Sequence, residues 1–355
     1  MKHHYIKLRI SLFLILNIII LNGFSQDVSF SHFMQNPIYY NPAAVGIDQG
    51  FLVSLNYRRA LMYMPSKFET IAFGADQSLH DAGLKGMGGI GLYVTRNQEG
   101  EGNYSTTAIG IPISSRVILT EKLKVQVGIT PTFYQKSIDF SQLEFFDQLS
   151  PVYGFDASKA TLAQLSRTDG LQRINFFDFS IGIFGRYETD PTDQSYVKDD
   201  VFDFGFSVQH VPQPNQSFTG VTAKLPSKYS LMLRYSHVLK SYGFDDASIQ
   251  PVILLEKQSS MRNYITGINF KYKTFNMAGF VRHDQNELLQ STEVLMLIGT
   301  EFKLHEKAFS SLQINYSFNL LVRSASVNKN ISNEVSLILH LPSLHHPKDP
   351  CSFYF

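Results

Sequence analysis

Six residues from Gly86 to Gly91 read GMGGIG and match the spacing G-x-G-x-x-G found at dinucleotide phosphates. That chemistry needs a strand before the glycines and a helix after them, so that the pyrophosphate meets the helix N-terminus. The residues that follow, Leu92 to Arg96, alternate apolar and polar side chains as a strand does. We therefore predict no cofactor here and interpret the glycines as strand positions that make room for a bulky neighbour.

Four side chains near the C-terminus could in principle hold zinc. They are His340, His345, His346 and Cys351. Their spacing fits no standard zinc pattern, and prolines between them indicate an extended tail, so we expect no metal site. Cys351 is the only cysteine, which excludes a disulfide within the chain and favours a free thiol. No nucleophile elbow or H-E-x-x-H motif is present, so we predict no enzyme, although a dispersed triad would not be visible.

The composition favours β-structure and disfavours nucleic acid as a partner. The chain of 355 residues has 31 basic and 30 acidic side chains, a net charge of +1, and these charges are scattered. A nucleic-acid-binding protein would need a basic stripe to neutralise phosphates. The 29 phenylalanines and 18 tyrosines are residues that half-buried pleated surfaces prefer.

The N-terminus has the parts of a secretory signal peptide. A basic start with Lys2 and Lys7 precedes an apolar run, Ile10–Leu21, and small residues lead to a polar segment after Ser25. We predict that residues 1–25 are cleaved off during export. The run is too short for a membrane-spanning helix, and we expect no helical inner-membrane protein.

From Phe51 onward, apolar and polar side chains alternate with a period of two. Phe51, Val53 and Leu55 fall on one face of a strand, and Ser54 and Asn56 on the other. About 14 strands are predicted in this way. They span 50–59, 67–78, 87–96, 104–118, 122–137, 174–188, 201–210, 227–238, 249–258, 262–273, 276–283, 292–303, 309–322 and 331–341.

Strand length and the polarity of the second face predict an all-β fold, a transmembrane antiparallel up-and-down β-barrel over residues 50–341. Strands of about ten residues suit a tilted crossing of the bilayer better than a soluble sandwich. The second face is rich in Gly, Ser, Thr, Asn and Gln, with less charge than a soluble surface usually carries. Whether the apolar face points to lipid or to a core is not visible in the sequence. Residues 342–355 form a C-terminal tail without a usable motif.

The connections provide a check on the barrel prediction. If the mature N-terminus is periplasmic, the long segments 139–173 and 211–226 are extracellular and the tight turns Thr120–Glu121 and Thr274–Phe275 are periplasmic. Long outer loops and short inner turns are usual in bacterial barrels. The connection 189–200 is too long for this pattern and argues against it.

Two Asn-Pro pairs stiffen the segment between the signal peptide and the first strand, residues 26–49. Proline restricts the preceding asparagine and removes a backbone donor, while the asparagine side chain can start a turn. Asn36–Pro37 and Asn41–Pro42 therefore predict a short, stiff, double-turned segment. Such a segment suits a barrel mouth, a fixed interaction surface or an ordered lead-in to the first strand.

The N-terminal segment reads QDVSFSHFMQNP from Gln26 to Pro37, followed by Asn41-Pro42-Ala43 and Gly46. In these residues the sequence resembles the PorP/SprF family of type IX secretion system membrane proteins of Bacteroidota. Looser matches are Asn56-Tyr57-Arg58, His210-Val211-Pro212-Gln213-Pro214-Asn215, Leu225-Pro226-Ser227-Lys228-Tyr229 and Asn333-Glu334-Val335-Ser336-Leu337. One departure is Arg59-Ala60-Leu61, where the family usually has an aromatic residue.

The resemblance implies an outer-membrane barrel without covalent chemistry that supports export and surface anchoring of a secreted protein or gliding adhesin. Its implied partners are translocon or periplasmic ring subunits, a large adhesin or its C-terminal domain, and the outer-membrane bilayer. The segment Met34–Gly46 is then a periplasmic-side interaction or plug element. Its candidate partner-binding residues are Gln35, Asn36, Pro37, Tyr39, Tyr40, Asn41, Pro42, Ala43 and Gly46.

Two other classes of protein share these patterns. A passive porin or a transporter of hydrophobic ligands would show the same alternation and would conduct a solute. An outer-membrane enzyme such as a lipase would need a nucleophile at a strand end.

Overall fold

The strands predicted from period-two alternation form the wall of a barrel in the structure, a computed structural model of the chain. It describes residues 27, 29–48, 50–62, 66–79, 84, 86–100, 102–150, 154–156, 159, 171–189, 200–218, 222–239, 247–285, 290–305, 310–324 and 331–341. The predicted signal peptide and the C-terminal tail with Cys351 lie outside these residues. Within them, no helix is both long and apolar enough to cross a bilayer.

The wall is a closed antiparallel sheet. Its strands are β1 (Phe51–Arg59), β2 (Lys67–Ser78), β3 (Met87–Gly100), β4 (Tyr104–Gly110), β5 (Ile113–Ile118), β6 (Leu123–Asp139), β9 (Leu171–Glu188), β10 (Val201–Gln209), β11 (Lys228–Leu239), β12 (Ala247–Gln258), β13 (Met261–Tyr272), β14 (Phe275–Gln285), β15 (Gln290–His305), β16 (Ser310–Ser324) and β17 (Ile331–Leu341). A small hairpin, β7 (Leu149–Ser150) with β8 (Gly154–Phe155), lies apart from the wall. Because β1 pairs with both β2 and β17, the sheet closes. The predicted up-and-down barrel of about 14 strands is confirmed.

The two faces of the wall settle which side meets lipid. On β1, Leu55 points outward with 44% of its surface exposed, whereas Asn56 points inward and is 0% exposed. On β16, Tyr316 is 41% exposed and Asn315 is 0% exposed. The apolar face therefore points outward and the polar face lines the lumen, as in barrels that span membranes.

One predicted strand is not continuous in the structure. The stretch 104–118 is two pieces, β4 and β5, which share one position in the wall because each pairs with β3 and with β6. The break falls at Pro112, which has no backbone N–H to donate to a ladder. Sequence reasoning also missed the hairpin β7–β8, and it set β6 and β9 shorter than their 17 and 18 residues.

The barrel has two rims with different connections. We call the end where β1 begins the turn rim, since the tight turns at 119–122 and 273–274 lie there. The opposite end, the loop rim, has the connections 140–170 and 210–227. The connection 189–200 is also at the turn rim, where Thr189 N donates to Asp200 O over 3.1 Å. Its residues 190–199 lie outside the described part of the chain.

Candidate functional site

Residues 27 and 29–48, called the lumen segment below, run inside the barrel from the loop rim to the turn rim. At the loop rim, Asp27 N donates to Oε1 of Gln258, the last residue of β12, over 3.3 Å. At the turn rim, Nη1 of Arg186 donates to Asp48 Oδ1 over 2.7 Å. From the sequence, this segment is predicted to be a periplasmic-side interaction element or a plug, and in the structure it runs through the lumen.

Local turns give the lumen segment its path. Pro37 begins a four-residue helix, α1 (Pro37–Tyr40), where its missing N–H costs nothing. Asn41 is extended, with φ −144° and ψ 116°, and its Oδ1 accepts from Ala43 N over 2.9 Å to start a 3₁₀ turn, Pro42–Ala44. Asn36 makes no such cap; its Oδ1 accepts from Ser54 Oγ of the wall over 3.0 Å.

An apolar cluster packs the first half of the segment against one side of the lumen. Phe30, Phe33 and Tyr40 are buried against inward-facing wall residues, and the rings of Phe33 and Phe280 lie 5.2 Å apart. The wall side of the cluster consists of Ala72, Val252, Leu254, Ile265, Phe280 and Leu295. These residues interrupt a largely polar inner face, so the wall offers the segment an apolar surface to bury.

Glycines of the wall admit the second half of the segment. A Cβ added to Gly128 would lie 2.5 Å from Ala43 N, and one added to Gly182 would collide with Asn41 Oδ1. A Cβ on Gly89, within the GMGGIG motif, would lie 2.6 Å from Gly46 Cα. The motif lies at the start of strand β3, so its interpretation as strand residues is correct. The neighbour for which it leaves space is the backbone of the lumen segment, whereas a bulky side chain was expected.

Lumen side chains satisfy the backbone of the segment, which has no sheet partner of its own. The bonds to its carbonyl groups are Arg58 Nη1 to Ser29 O at 2.8 Å, Arg282 Nη2 to Phe30 O at 2.8 Å, Gln209 Nε2 to Tyr39 O at 2.6 Å and Ser207 Oγ to Tyr40 O at 2.6 Å. Glu334 Oε2 accepts from Ser31 N over 2.7 Å. The segment is therefore held by specific polar contacts as well as by apolar burial.

An ion pair anchors the segment at the loop rim. His210 is buried, and its Nε2 lies 2.6 Å from Asp27 Oδ2 while its Nδ1 lies 2.5 Å from Asp178 Oδ2. Burial alone would lower the pKa of the His210 imidazole, but the two carboxylates outweigh it and raise the pKa to about 9. Burial likewise opposes ionisation of Asp27, yet His210 holds the pKa of that carboxyl well below its usual value.

A second charged group anchors the segment at the turn rim. Arg186 bonds Asp48 of the segment over 2.7 Å and Asp203 of β10 over 2.7 Å, and Arg234 Nε donates to Asp203 over 3.0 Å. Despite burial, Arg186 and Arg234 hold the pKa of the Asp48 carboxyl well below its usual value. Both ends of the segment are thus fixed by paired charges, Asp27 with His210 just beyond β10 and Asp48 with Arg186 of β9.

The family follows from a comparison of the whole sequence. A family model described as "Type IX secretion system membrane protein PorP/SprF" matches residues 22–339. The chain belongs to the PorP/SprF family. A search of curated proteins found no match. Membership makes the chain a membrane component of the type IX secretion system family, which implies association with the secretion machinery.

Several solved barrels resemble this PorP/SprF chain at low sequence identity. The "TodX deltaS2S3 mutant monoaromatic hydrocarbon channel" is 12% identical, covering 85% of this chain and 92% of that chain, with a TM-score of 0.50. A FadL homologue of Pseudomonas aeruginosa is 12% identical, covering 84% and 91%, at 0.46. The toluene transporter TodX of Pseudomonas putida is 11% identical, covering 90% and 95%, at 0.43. At this identity the first shows the barrel fold alone.

The predicted partner-binding residues of this PorP/SprF barrel all lie in the lumen segment. Gln35, Pro37 and Tyr39 are half-buried. Asn36, Tyr40, Asn41, Pro42, Ala43 and Gly46 are buried. In this conformation the wall covers most of their surface, and their role toward a partner stays a prediction.

Sequence reasoning missed the wall residues that receive the segment. One signal was present: the run Pro251–Leu255 of β12 has apolar residues on both faces, where the lumen face should be polar. Of the four zinc candidates, His340 lies on β17 and the other three fall outside the described residues. The described part of the chain holds no group of three His, Cys, Asp or Glu side chains arranged around a metal. Family and fold are those of a secretion-system membrane barrel rather than of a known enzyme.

Proposed function

We propose that this PorP/SprF barrel is an outer-membrane accessory of the type IX secretion system. In this proposal it supports export and surface anchoring of a cognate secreted protein or gliding adhesin through protein–protein contacts. The chain reaches the membrane through a cleaved signal peptide, residues 1–25. Its partners are translocon or periplasmic ring subunits and the C-terminal domain of the exported protein.

The observation that carries this proposal is the lumen segment itself. It passes from rim to rim and is fixed by apolar, polar and charged contacts, which a freely conducting pore would not need. Two cavities beside Tyr39 and Tyr40 have volumes of about 30 and 10 Å³, which is room for a few water molecules. A lumen that this segment crosses from rim to rim favours a scaffold over a passive porin or a hydrophobic-ligand transporter.

The Asn-Pro residues would act in this scaffold as a plug. Asn36–Pro37 and Asn41–Pro42 shape the lumen segment, and a partner would sense it through its ends at Asp27 and Asp48. Replacing both Asn-Pro pairs by Ala-Ala should lower export of the cognate protein. If barrel levels and export both stay at wild-type values, the segment has no role in secretion.

The proposed function is tested by purifying the barrel from outer membranes in mild detergent and identifying co-purifying proteins by mass spectrometry. Recovery of translocon or ring subunits, or of a large secreted protein through its C-terminal domain, is the expected result. The matched control is an unrelated outer-membrane barrel purified in the same way. A barrel that emerges alone and conducts ions in a planar bilayer would make the porin interpretation correct.

A further inference from the structure

The strand β9 is paired along only part of one edge. On its β6 side the ladder reaches the first residue, with Leu171 opposite Asp139. On its β10 side the ladder ends where Ile181 meets Val208, followed by one backbone bond from Val211 N to Phe179 O at 3.1 Å. Among the described residues, no strand continues along this edge beyond Phe179.

The ladder ends because the chain leaves β10 toward the lumen. His210 has a positive φ of 57°, and its buried side chain lies between Asp27 and Asp178. The connection that follows folds on itself, with Leu225 N donating to Pro214 O over 2.9 Å. Its Gln216 then accepts from Nζ of Lys136, an inward-facing residue of β6. The stretch that could have extended β10 thus covers the mouth of the barrel instead.

Backbone groups of alternate residues therefore face an edge that no strand in the described part of the chain pairs with. In a strand, the N–H and C=O of one residue point to the same side, and the side alternates along the chain. Since Phe179 O points toward β10, the N–H and C=O of Phe177, Asn175 and Arg173 also point that way. Such groups cannot stay unpaired in lipid, and in water they form a template for another strand.

Side chains beside this edge indicate what a docked strand would carry. Phe177 is 70% exposed, and its ring lies 5.3 Å from that of Phe133 on the same outer face. Arg173 is exposed four residues away. An added strand would place one side chain against Phe177 and another, four positions along, opposite Arg173, where an acidic residue would form an ion pair.

We propose that the β10-side edge of β9 from Arg173 to Phe177 docks an extended segment of another protein by strand addition. The docked segment carries an apolar residue and an acidic residue four positions apart. Main-chain hydrogen bonds provide its affinity, and these two side chains provide its specificity. The docked segment is defined by its own chemistry, so the proposal does not depend on the secretion role above.

Amide hydrogen exchange of the full barrel tests the proposal, with an internal control in the same strand. Amides of Ile174 and Phe176 point toward β6 and should be protected in outer-membrane vesicles and in purified barrel alike. Amides of Arg173, Asn175 and Phe177 should exchange at least about tenfold more slowly in vesicles than in purified barrel. Digestion of exposed protein on the vesicles should abolish that difference.

Three results would overturn strand addition by another protein. Protection of the odd-numbered amides in purified barrel as well would mean that this chain, or a second copy, covers the edge. Rapid exchange in both samples would mean that nothing docks there. Protection that survives digestion of surface protein would mean that lipid covers it.

A pair of variants tests the same edge by other means. Asn175→Pro removes an N–H that points away from β6, so the wall keeps its ladder. In vesicles this variant should lose the protection at Arg173 and Phe177, whereas Asn175→Ala should keep it. Protection at Ile174 and Phe176 reports that both variants are folded. Equal protection at Arg173 and Phe177 in both variants would contradict the proposal.

Discussion

Gly128 of β6 and Gly182 of β9 lie directly opposite each other in the sheet, and together they receive the turn at Asn41 and Pro42. A Cβ on Gly128 would lie 2.5 Å from Pro42 C, closer than real side chains approach a backbone atom. Gly128 and Gly182 thus form a contact site for this turn, called the glycine site below, which any larger side chain would fill. This close approach fixes the height at which the lumen segment crosses the barrel.

A larger side chain at the glycine site should displace the lumen segment without unfolding the wall. In Gly128→Val, a side chain that strands favour would occupy the space of Ala43, so the segment loses its place while the ladder remains. We expect a folded barrel with higher conductance in planar bilayers. Gly279→Val is the matched control, because a Cβ at Gly279 meets nothing within 4 Å. Equal conductance in both variants would show that the glycine site does not hold the lumen segment in place.

The two asparagines of the Asn-Pro pairs should differ in importance. Asn41 Nδ2 donates to Ile183 O over 2.9 Å and to Phe206 O over 3.4 Å, and Asn41 Oδ1 accepts from Ala43 N. Asn41→Ala therefore removes three hydrogen bonds and should cost about 2–3 kcal/mol of segment docking. Among the described residues, the Asn36 side chain makes one hydrogen bond, from Ser54 Oγ, and Asn36→Ala should cost about 1 kcal/mol. The free energy of releasing the lumen segment from the wall is measured by hydrogen exchange of the Tyr39 amide, which donates to Asn36 O. A larger cost for Asn36→Ala than for Asn41→Ala would contradict this prediction.

The apolar cluster should contribute more than any single hydrogen bond. Phe33→Ala removes a fully buried ring and should weaken docking of the segment by about 3–5 kcal/mol. Phe275→Ala removes a ring that is 65% exposed on the outer face and should leave docking unchanged. Hydrogen exchange of the Asn41 amide, which donates to Pro37 O, measures the docking free energy in both variants. A similar effect of the two substitutions would mean that the segment is not held by this cluster.

Binding of the lumen segment to the wall at the loop rim should weaken at alkaline pH. The pKa of His210 is raised from 6.5 to about 9 in the folded state, so its contribution is complete below pH 6.5 and disappears as the pH rises through about 9. The pKa of Asp27 is lowered from 3.8, so its contribution is present above pH 3.8 and disappears on acidification. A spin label at Ser29→Cys, in a chain with Cys351→Ser, should be least mobile between pH 3.8 and 6.5.

A neutral replacement of the histidine provides the control for this pH dependence. In His210→Gln the label should be mobile at neutral pH and should change little between pH 7 and 10. A mobility that still rises through pH 9 in this variant would assign the effect to another group.

The wall could be predicted from sequence because each strand carries its own signal. On β10, Phe202 and Phe206 point outward while Asp203 and Ser207 point inward, and this alternation needs no knowledge of the rest of the chain. The break at Pro112 was missed, because a proline alone does not mark a break: Pro131 of β6 and Pro251 of β12 lie within continuous strands. Which face meets lipid was not visible, because alternation is the same for a filled core and for a lumen.

The path of the segment could not be predicted, because it depends on matches between distant parts of the chain. Asn41 fits Gly182, and Asp27 pairs with His210, only once strands far apart in sequence have come together. Each of these residues taken alone has an ordinary local explanation, such as a turn asparagine or a loop histidine. The same holds for the open edge of β9, which results from the inward path of residues beyond β10.

The lumen segment also bears on how the barrel closes. Glu334 of the last strand binds Ser31, and Arg58 of the first strand binds Ser29, so the segment touches both sides of the seam between β1 and β17. These two strands are the ends of the wall, and bringing them together carries the largest loop-closure entropy in the fold. A segment bound to both strands acts as an internal template for that final step, and a chain that lacked it would close its seam more slowly.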